Sequence, residues 1–245
     1  MADYQRLTGR LVEWIRVQVT NAHTKGCVVG LSGGIDSAVT AVLCKMAFPD
    51  TVLGIMMPCH SNPQDVKDAI LVAETFQIPY KMVDLSGTFD ELTRAIGDTD
   101  RLPKESLVIN NVKPRLRMTT LYFYAGLTDA LVVGTDNRSE LKVGYFTKYG
   151  DGGVDIVPLG NLVKLEVREL AGHLGIPEPV ITKAPSAGLW ENQTDETEMG
   201  VTYAELDHYI LTGEAEPGVK EIVDRLNSRS RHKLQMPLKP DFGLE

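Results

Sequence analysis

The sequence predicts an α/β fold, a single-domain, doubly wound, mostly parallel sheet with helices on both faces, in the Rossmann-like manner. Three observations predict it. Short apolar runs alternate with segments whose apolar residues recur at helical spacing, the pattern of repeated strand–helix–strand units. The 245 residues are enough to bury one sizeable core. The first strand-to-helix junction carries a glycine pair, at the strand end where such sheets bind ligands.

In chain order, Leu7, Leu11, Trp14, Ile15 and Val19 share one face of a helix over residues 4–22. Cys27 to Leu31 is the first strand, followed by an apolar helix that starts near Ile35. A strand over Thr51–Met57, a loop from Pro58 to Pro63, a helix over Asp65–Phe76, a strand over Pro79–Val83 and a helix over Ser86–Ile96 follow. Residues 97–104 read as a surface loop. A longer helix from Glu105 to about Leu127 contains Pro114, which should kink or restart it. Ala130–Val133 is another buried strand, and polar residues Gly134 to Glu140 collect just past its end.

Residues 144–153 are too polar for a core strand and read as a mobile substrate loop. A helix from Leu162 to His173 has Lys164 in its first turn, where the helix dipole disfavours a cation and a nearby anion would explain one. Residues 183–198 form a long breaker-rich loop of the lid type, with Trp190 exposed. Both loops are expected to order only with nucleotides. Helices over Tyr203–Leu211 and Gly218–Asn227 precede a basic cluster around Arg229, Arg231, His232 and Lys233.

The glycine junction is the chemically informative stretch. Gly30, Leu31, Ser32, Gly33, Gly34, Ile35, Asp36 and Ser37 run from strand to helix. The glycines let backbone N–H groups approach an anion, and the helix N-terminus adds its positive dipole end. Asp36 makes sense there through a divalent cation, with Glu140 as a second oxygen donor; Mg²⁺ favours carboxylate and phosphate oxygens. No Gly-Lys-Ser/Thr follows the glycines, and their spacing is not that of the dinucleotide fingerprint. Thr135 could hydrogen-bond a nucleotide. Arg115 and Arg117 are open to two readings, a solvated helix face or ligands for a dinucleotide's phosphates. His60 is read as a loop residue and His173 as a favourable charge at a helix end.

Composition excludes several classes. Hydrophobic residues at 43% and charged residues at 24% are ordinary for a soluble globular protein. With no bilayer-length apolar run and no secretory pattern at the N-terminus, the expected location is cytoplasmic. Cys27, Cys44 and Cys59 form neither a metal-type pair nor a disulfide framework and are expected to be reduced and structural. A net charge of −8 argues against nonspecific nucleic-acid binding.

The stretch Ser32-Gly33-Gly34-Ile35-Asp36-Ser37 resembles the pyrophosphate loop of the ATP pyrophosphatases, of the adenine nucleotide alpha hydrolase fold. Several further stretches narrow the resemblance: Gly134 to Glu140, Phe146 to Gly152, Pro185 to Trp190, Gln193 to Glu196, and His232-Lys233. Together, over nearly the whole chain, they are similar to the ammonia-dependent NAD synthetase family. That resemblance implies amidation of deamido-NAD through an adenylate, giving NAD, AMP and pyrophosphate. It assigns Gly30 to Ser37, Thr135, Lys164 and Ser186 to ATP, and Mg²⁺ to Asp36 and Glu140. Arg115, Lys148, Asp155, His232 and Lys233 fall to deamido-NAD. Asp151 is the candidate to bind ammonium and take its proton. A homodimer with deamido-NAD along its interface is implied, and ammonia could come from a separate glutaminase. One domain over residues 1–245, without the N-terminal glutaminase domain of glutamine-using members, is expected. Asn192 departs from the glycine frequent in relatives. The alternatives are another adenylating amidotransferase or thiolase, for which the unpaired cysteines fit poorly, and a catalytically silent nucleotide-binding protein.

Overall fold

The computed structural model describes residues 3–190 and 193–241; Asn192 lies outside the described residues. Helix α1, Tyr4–Asn21, starts where the Asp3 carboxylate accepts the Arg6 N–H at 2.9 Å and buries Val12, Ile15 and Val19. Then come β1 (Gly26–Gly30), α2 (Ile35–Ala47), β2 (Val52–Met56), α3 (Pro63–Thr75), β3 (Tyr80–Met82) and α4 (Ser86–Ile96). Asn62 caps α3, with Pro63 in the first turn, where its missing N–H costs nothing.

Among the described residues the sheet has four parallel strands in the order β3-β2-β1-β4, where β4 is Ala130–Val133. Every crossover is helical, as parallel pairing demands. Strand residues alternate between two cores. Cys27, Val29, Val52, Met56 and Val133 pack with α1, α2 and α3 on one face. Val28, Ile55 and Val132 pack with Leu85, Phe89, Leu121 and Ala125 on the other. The doubly wound layering follows from this period of two.

The long helix breaks at Asn111 rather than at Pro114, giving α5 (Leu107–Asn110) and α6 (Val112–Thr128). Pro114 falls in the first turn of α6 and is tolerated there. Past β4 come α7 (Arg138–Val143), α8 (Lys164–Leu174), α9 (Glu178–Thr182), α10 (Asp195–Met199), α11 (Tyr203–Thr212) and α12 (Pro217–Ser230). A third apolar cluster, with Val143, Met199, Leu206 and Val223, binds α7, α11 and α12 together. α10 lies mostly in the segment read as a loop, and α9 precedes that loop in a stretch given no assignment. α10 does carry signals: Thr194 caps it by accepting the Thr197 N–H, Asp195, Glu196 and Glu198 fill its first turn, and Gly200 ends it. Trp190 is half-buried rather than exposed. All three cysteines are free and buried.

Candidate active site

At the carboxyl ends of β1, β2 and β4 lies a cavity of about 530 Å³. The glycine junction forms one wall. Gly33 sits at φ +80°, and a Cβ there would stand 2.2 Å from the Asp65 carbonyl oxygen; no other residue type fits. Ser37 Oγ accepts the Ser32 N–H at 3.2 Å and donates to the Gly34 carbonyl at 2.9 Å, so the loop is shaped by its own serines. Gly34 caps α2 without a side chain, which leaves that helix's first N–H groups free for an anion.

Three charged side chains meet beside this loop. Lys164 Nζ lies 2.5 Å from Asp36 Oδ2 and 3.2 Å from Glu140 Oε1. Asn137 orients both acids. Its Nδ2 donates to Asp36 Oδ1 at 2.8 Å, and its side chain and Glu140 exchange capping bonds at the start of α7, the Asn-x-x-Glu pattern of a capping box. Burial alone would lower the Lys164 pKa, but Asp36 and Glu140 outweigh it and hold the ammonium charged. Burial pushes the Glu140 carboxyl up to about 7 despite Lys164. The anion expected beside Lys164 is therefore this pair of carboxylates, and the α8 N–H groups go to Ser139 Oγ and Asp207.

Asp36 and Glu140 fit a divalent ion in one respect: their oxygens already converge on a single cation. Among the described residues no group of three or more His, Cys, Asp or Glu could hold a metal. A hard ion there would take its remaining ligands from phosphate and water, as Mg²⁺ commonly does.

Gly30, Leu31, Ser32, Gly34 to Ser37, Thr135, Asp151, Ser186 and Lys233 also line the cavity. Asp151 is open to it, yet enough chain surrounds the carboxyl that lost hydration raises its pKa against the Thr147 N–H, which donates to it at 2.9 Å. The C-terminal segment folds back: Lys233 Nζ donates to the Gly144 and Phe146 carbonyls, each at 2.7 Å. Burial lowers its pKa. Lys148 Nζ holds the same segment through the His232 and Gln235 carbonyls at 2.5 and 3.2 Å.

The two arginines of α6 part company. Arg117 lines the cavity, donating to the Met57 carbonyl at 3.2 Å and Ser61 Oγ at 3.3 Å. Arg115 is exposed, outside the cavity lining, as are Asp155 and His232. The Asp155 carboxylate instead accepts the Val132 N–H at 2.8 Å and the Tyr122 hydroxyl at 3.0 Å. His60 pairs with Asp90 at 2.8 Å, a loop contact as expected. Sequence reasoning missed Asp136, Asp195 and Tyr203, which is linked to Glu140 and Asp195 at 3.2 and 3.0 Å.

Two lysines fasten the segment read as a lid to the rest of the fold. Lys183 Nζ pairs with Asp65 and Asp68 at 2.5 and 2.6 Å and reaches the Gly33 carbonyl at 3.3 Å. Lys113, buried at the start of α6, donates to the Leu189 carbonyl at 2.5 Å.

A glycine-rich anion loop beside a lysine-bridged carboxylate pair, under an anchored lid, suits phosphoryl chemistry on a nucleotide. Comparison with known proteins agrees. The NAD synthase family model matches residues 7–237. The chain is 50% identical over 238 residues to an NH(3)-dependent NAD(+) synthetase of Carboxydothermus hydrogenoformans, covering 97% of this chain and 98% of that one. Among solved structures, an NMN synthetase from Francisella tularensis superposes with a TM-score of 0.93 at 37% identity, over 99% of this chain and 100% of that one. An NH3-dependent NAD synthetase from Campylobacter jejuni does so at 0.79 and 31% identity, over 98% and 100%. The loop, the carboxylate pair and these full-length matches lead to one conclusion: the chain belongs to the NAD synthase family.

Proposed function

We propose that the chain makes NAD from deamido-NAD, ATP and ammonia through an acyl-adenylate. As a member of its family it is a ligase. The observation that carries the reading is the meeting of Asp36, Glu140 and Lys164 beside the glycine loop, in one cavity with Asp151. In this reading, Gly30 to Ser37, with Thr135, Lys164 and Ser186, hold ATP. The nicotinate carboxylate attacks the α-phosphorus and pyrophosphate leaves into the glycine loop, whose free N–H groups stabilise its charge. Asp36 and Glu140 would hold Mg²⁺, which supplies positive charge to the departing phosphates. Asp151 would receive ammonium beside the adenylate.

Arg115, Lys148, Asp155, His232 and Lys233 would hold deamido-NAD in a homodimer. Support for the dimer comes from α6: Arg115, Thr119, Tyr122, Phe123 and Leu127 are exposed on one helical face, with Phe123 at 66% and Leu127 at 69%. An apolar stripe of this kind beside an arginine suits a partner and an anionic ligand between the two. A cytoplasmic location is part of the proposal; among the described residues no helix is long and apolar enough to cross a membrane. A separate glutaminase could supply the ammonia.

The test is pyrophosphate release from ATP and Mg²⁺ with and without deamido-NAD, then NAD formation on adding ammonium or glutamine. Release that needs deamido-NAD, with NAD formed from ammonium alone, is the expected result. Release without NAD formation on either nitrogen source, or none with deamido-NAD, would overturn the reading. A second reading has one specific observation in its favour, the TM-score of 0.93 to the Francisella tularensis NMN synthetase, against 0.79 and 0.78 for two NAD synthetases. Here the acceptor is nicotinate mononucleotide. A higher kcat/KM for the mononucleotide than for deamido-NAD would select it.

A further inference from the structure

Asp136 is an anomaly that the reaction as described does not use. It is 6% exposed, lines the cavity, and its Oδ2 is buried without a hydrogen-bond partner among the described residues. An ionised carboxylate is an acceptor with no donor of its own, and burying one without a partner is costly, so such a group calls for a missing donor or cation.

Asp136 and Asp151 line the same cavity. Just before Asp136, the chain leaving β4 runs parallel to the segment that follows Asp151: Gly134 donates to the Ile156 carbonyl at 2.8 Å and Asp155 to the Val132 carbonyl at 3.0 Å. Gly134 is pressed so closely on Val154 that a Cβ would stand 2.6 Å from its methyl group. By themselves, burial and then the Asp151 charge push the Asp136 pKa far up, ahead of Glu140 and Asp36; a cation bound against Asp136 opposes these causes and lets the carboxyl ionise. Lys164 is already engaged by Asp36 and Glu140.

We infer that Asp136 and Asp151 together form the ammonium pocket, with Asp136 Oδ2 accepting an N–H of the bound ion. The inference rests on the amidation reading above. Ammonium suits the site because it brings donors and charge together and needs few ligands. Chemistry also calls for two acceptors. Ammonium must lose one proton to expose the lone pair that attacks the acyl carbon. The tetrahedral adduct carries a second proton on nitrogen, which leaves as the C–O bond to AMP breaks and AMP departs with the bonding electrons. One new C–N bond, one broken C–O bond and two released protons balance the step, and two carboxylates are there to take those protons.

The experiment compares wild type, Asp136→Asn and Asp136→Ala, each with ATP, Mg²⁺ and deamido-NAD over a range of ammonium chloride. The expected result is a KM for ammonium raised about ten-fold or more, the effect of losing a hydrogen bond to a charged group. KM values for ATP and deamido-NAD stay within about three-fold, and thermal stability is equal or higher because an unpaired buried carboxylate is gone. An unchanged ammonium KM overturns the inference, as does a shift confined to the Mg²⁺ or ATP dependence, which would give Asp136 to the metal or phosphates. A fall in stability with no change in ammonium KM makes Asp136 structural and also overturns it. Should wild type form no NAD from ammonium, the amidation reading itself fails, a result distinct from all of these.

Discussion

Lys113 Nζ donates to the Leu189 carbonyl at 2.5 Å, across 76 positions of sequence. It thereby fastens the lid to the first turn of α6. The lysine is 5% exposed, and its ammonium also lies 5.3 Å from the Phe89 ring. Burial lowers its pKa. In Lys113→Met, removal of a desolvated charge offsets the lost bond, so global stability should change by less than about 1 kcal/mol. Hydrogen exchange at residues 184–190 should speed up while β1 and β2 are unaffected. Unchanged exchange in the lid would show that Gln193, whose Oε1 accepts the Leu189 N–H at 2.7 Å, holds it alone.

Lys164→Met should act on stability as well as on chemistry. It leaves Asp36 and Glu140 facing each other without their cation, and breaking a buried ion pair from one side costs about 3 to 5 kcal/mol. Urea unfolding of the unliganded protein would measure the loss. If Asp36 and Glu140 bind Mg²⁺, millimolar Mg²⁺ should stabilise the variant more than wild type; equal shifts would argue against that metal site.

Gly33→Ala tests the anion loop. The left-handed backbone alone costs about 1 to 2 kcal/mol, and the added Cβ would also strike the Asp65 carbonyl 2.2 Å away. ATP affinity, read by calorimetry, should fall steeply. Binding equal to wild type would mean that the loop moves without penalty.

Lys148 and Lys233 hold one segment from two sides, so their effects should not add. Lys148→Met and Lys233→Met are each expected to raise the KM for deamido-NAD, and the double variant should fall short of the product of the two by a coupling of about 0.5 to 3 kcal/mol. Strict additivity would show that each lysine acts on the ligand independently of the tail.

The layers of the fold were legible in the sequence because local and global signals agree: the runs read as strands over 27–31 and 130–133 are β1 and β4, and their alternation sorts Val28 from Val29 onto opposite faces. Asp36 and Glu140 were legible because their spacing from glycine loop and strand end is a motif. The direction of Arg115 and Arg117 was not. It depends on the helical phase of α6, which is set by a break at Asn111 that Pro114 concealed. Nor was Asp136, since an aspartate after a strand looks the same whether its oxygen finds a donor or not. The residue roles assigned from resemblance rest on the experiments above.

The Asp36–Lys164 contact also bears on how the chain reaches its native state. The two residues are 128 positions apart, and the Lys164–Glu140 contact spans 24. Helices α2 and α8 can begin to form from neighbouring residues, but joining their N-termini requires β1 and β4 to have paired first, with most of the intervening chain in place. Contacts of such sequence separation bear a large loop-closure entropy and are acquired slowly. During refolding, far-ultraviolet ellipticity should therefore recover ahead of pyrophosphate-releasing activity. A chain caught between the two would have its helices while carrying Asp36 and Glu140 as bare acids, a state in which low pH or added divalent cation would speed the final step.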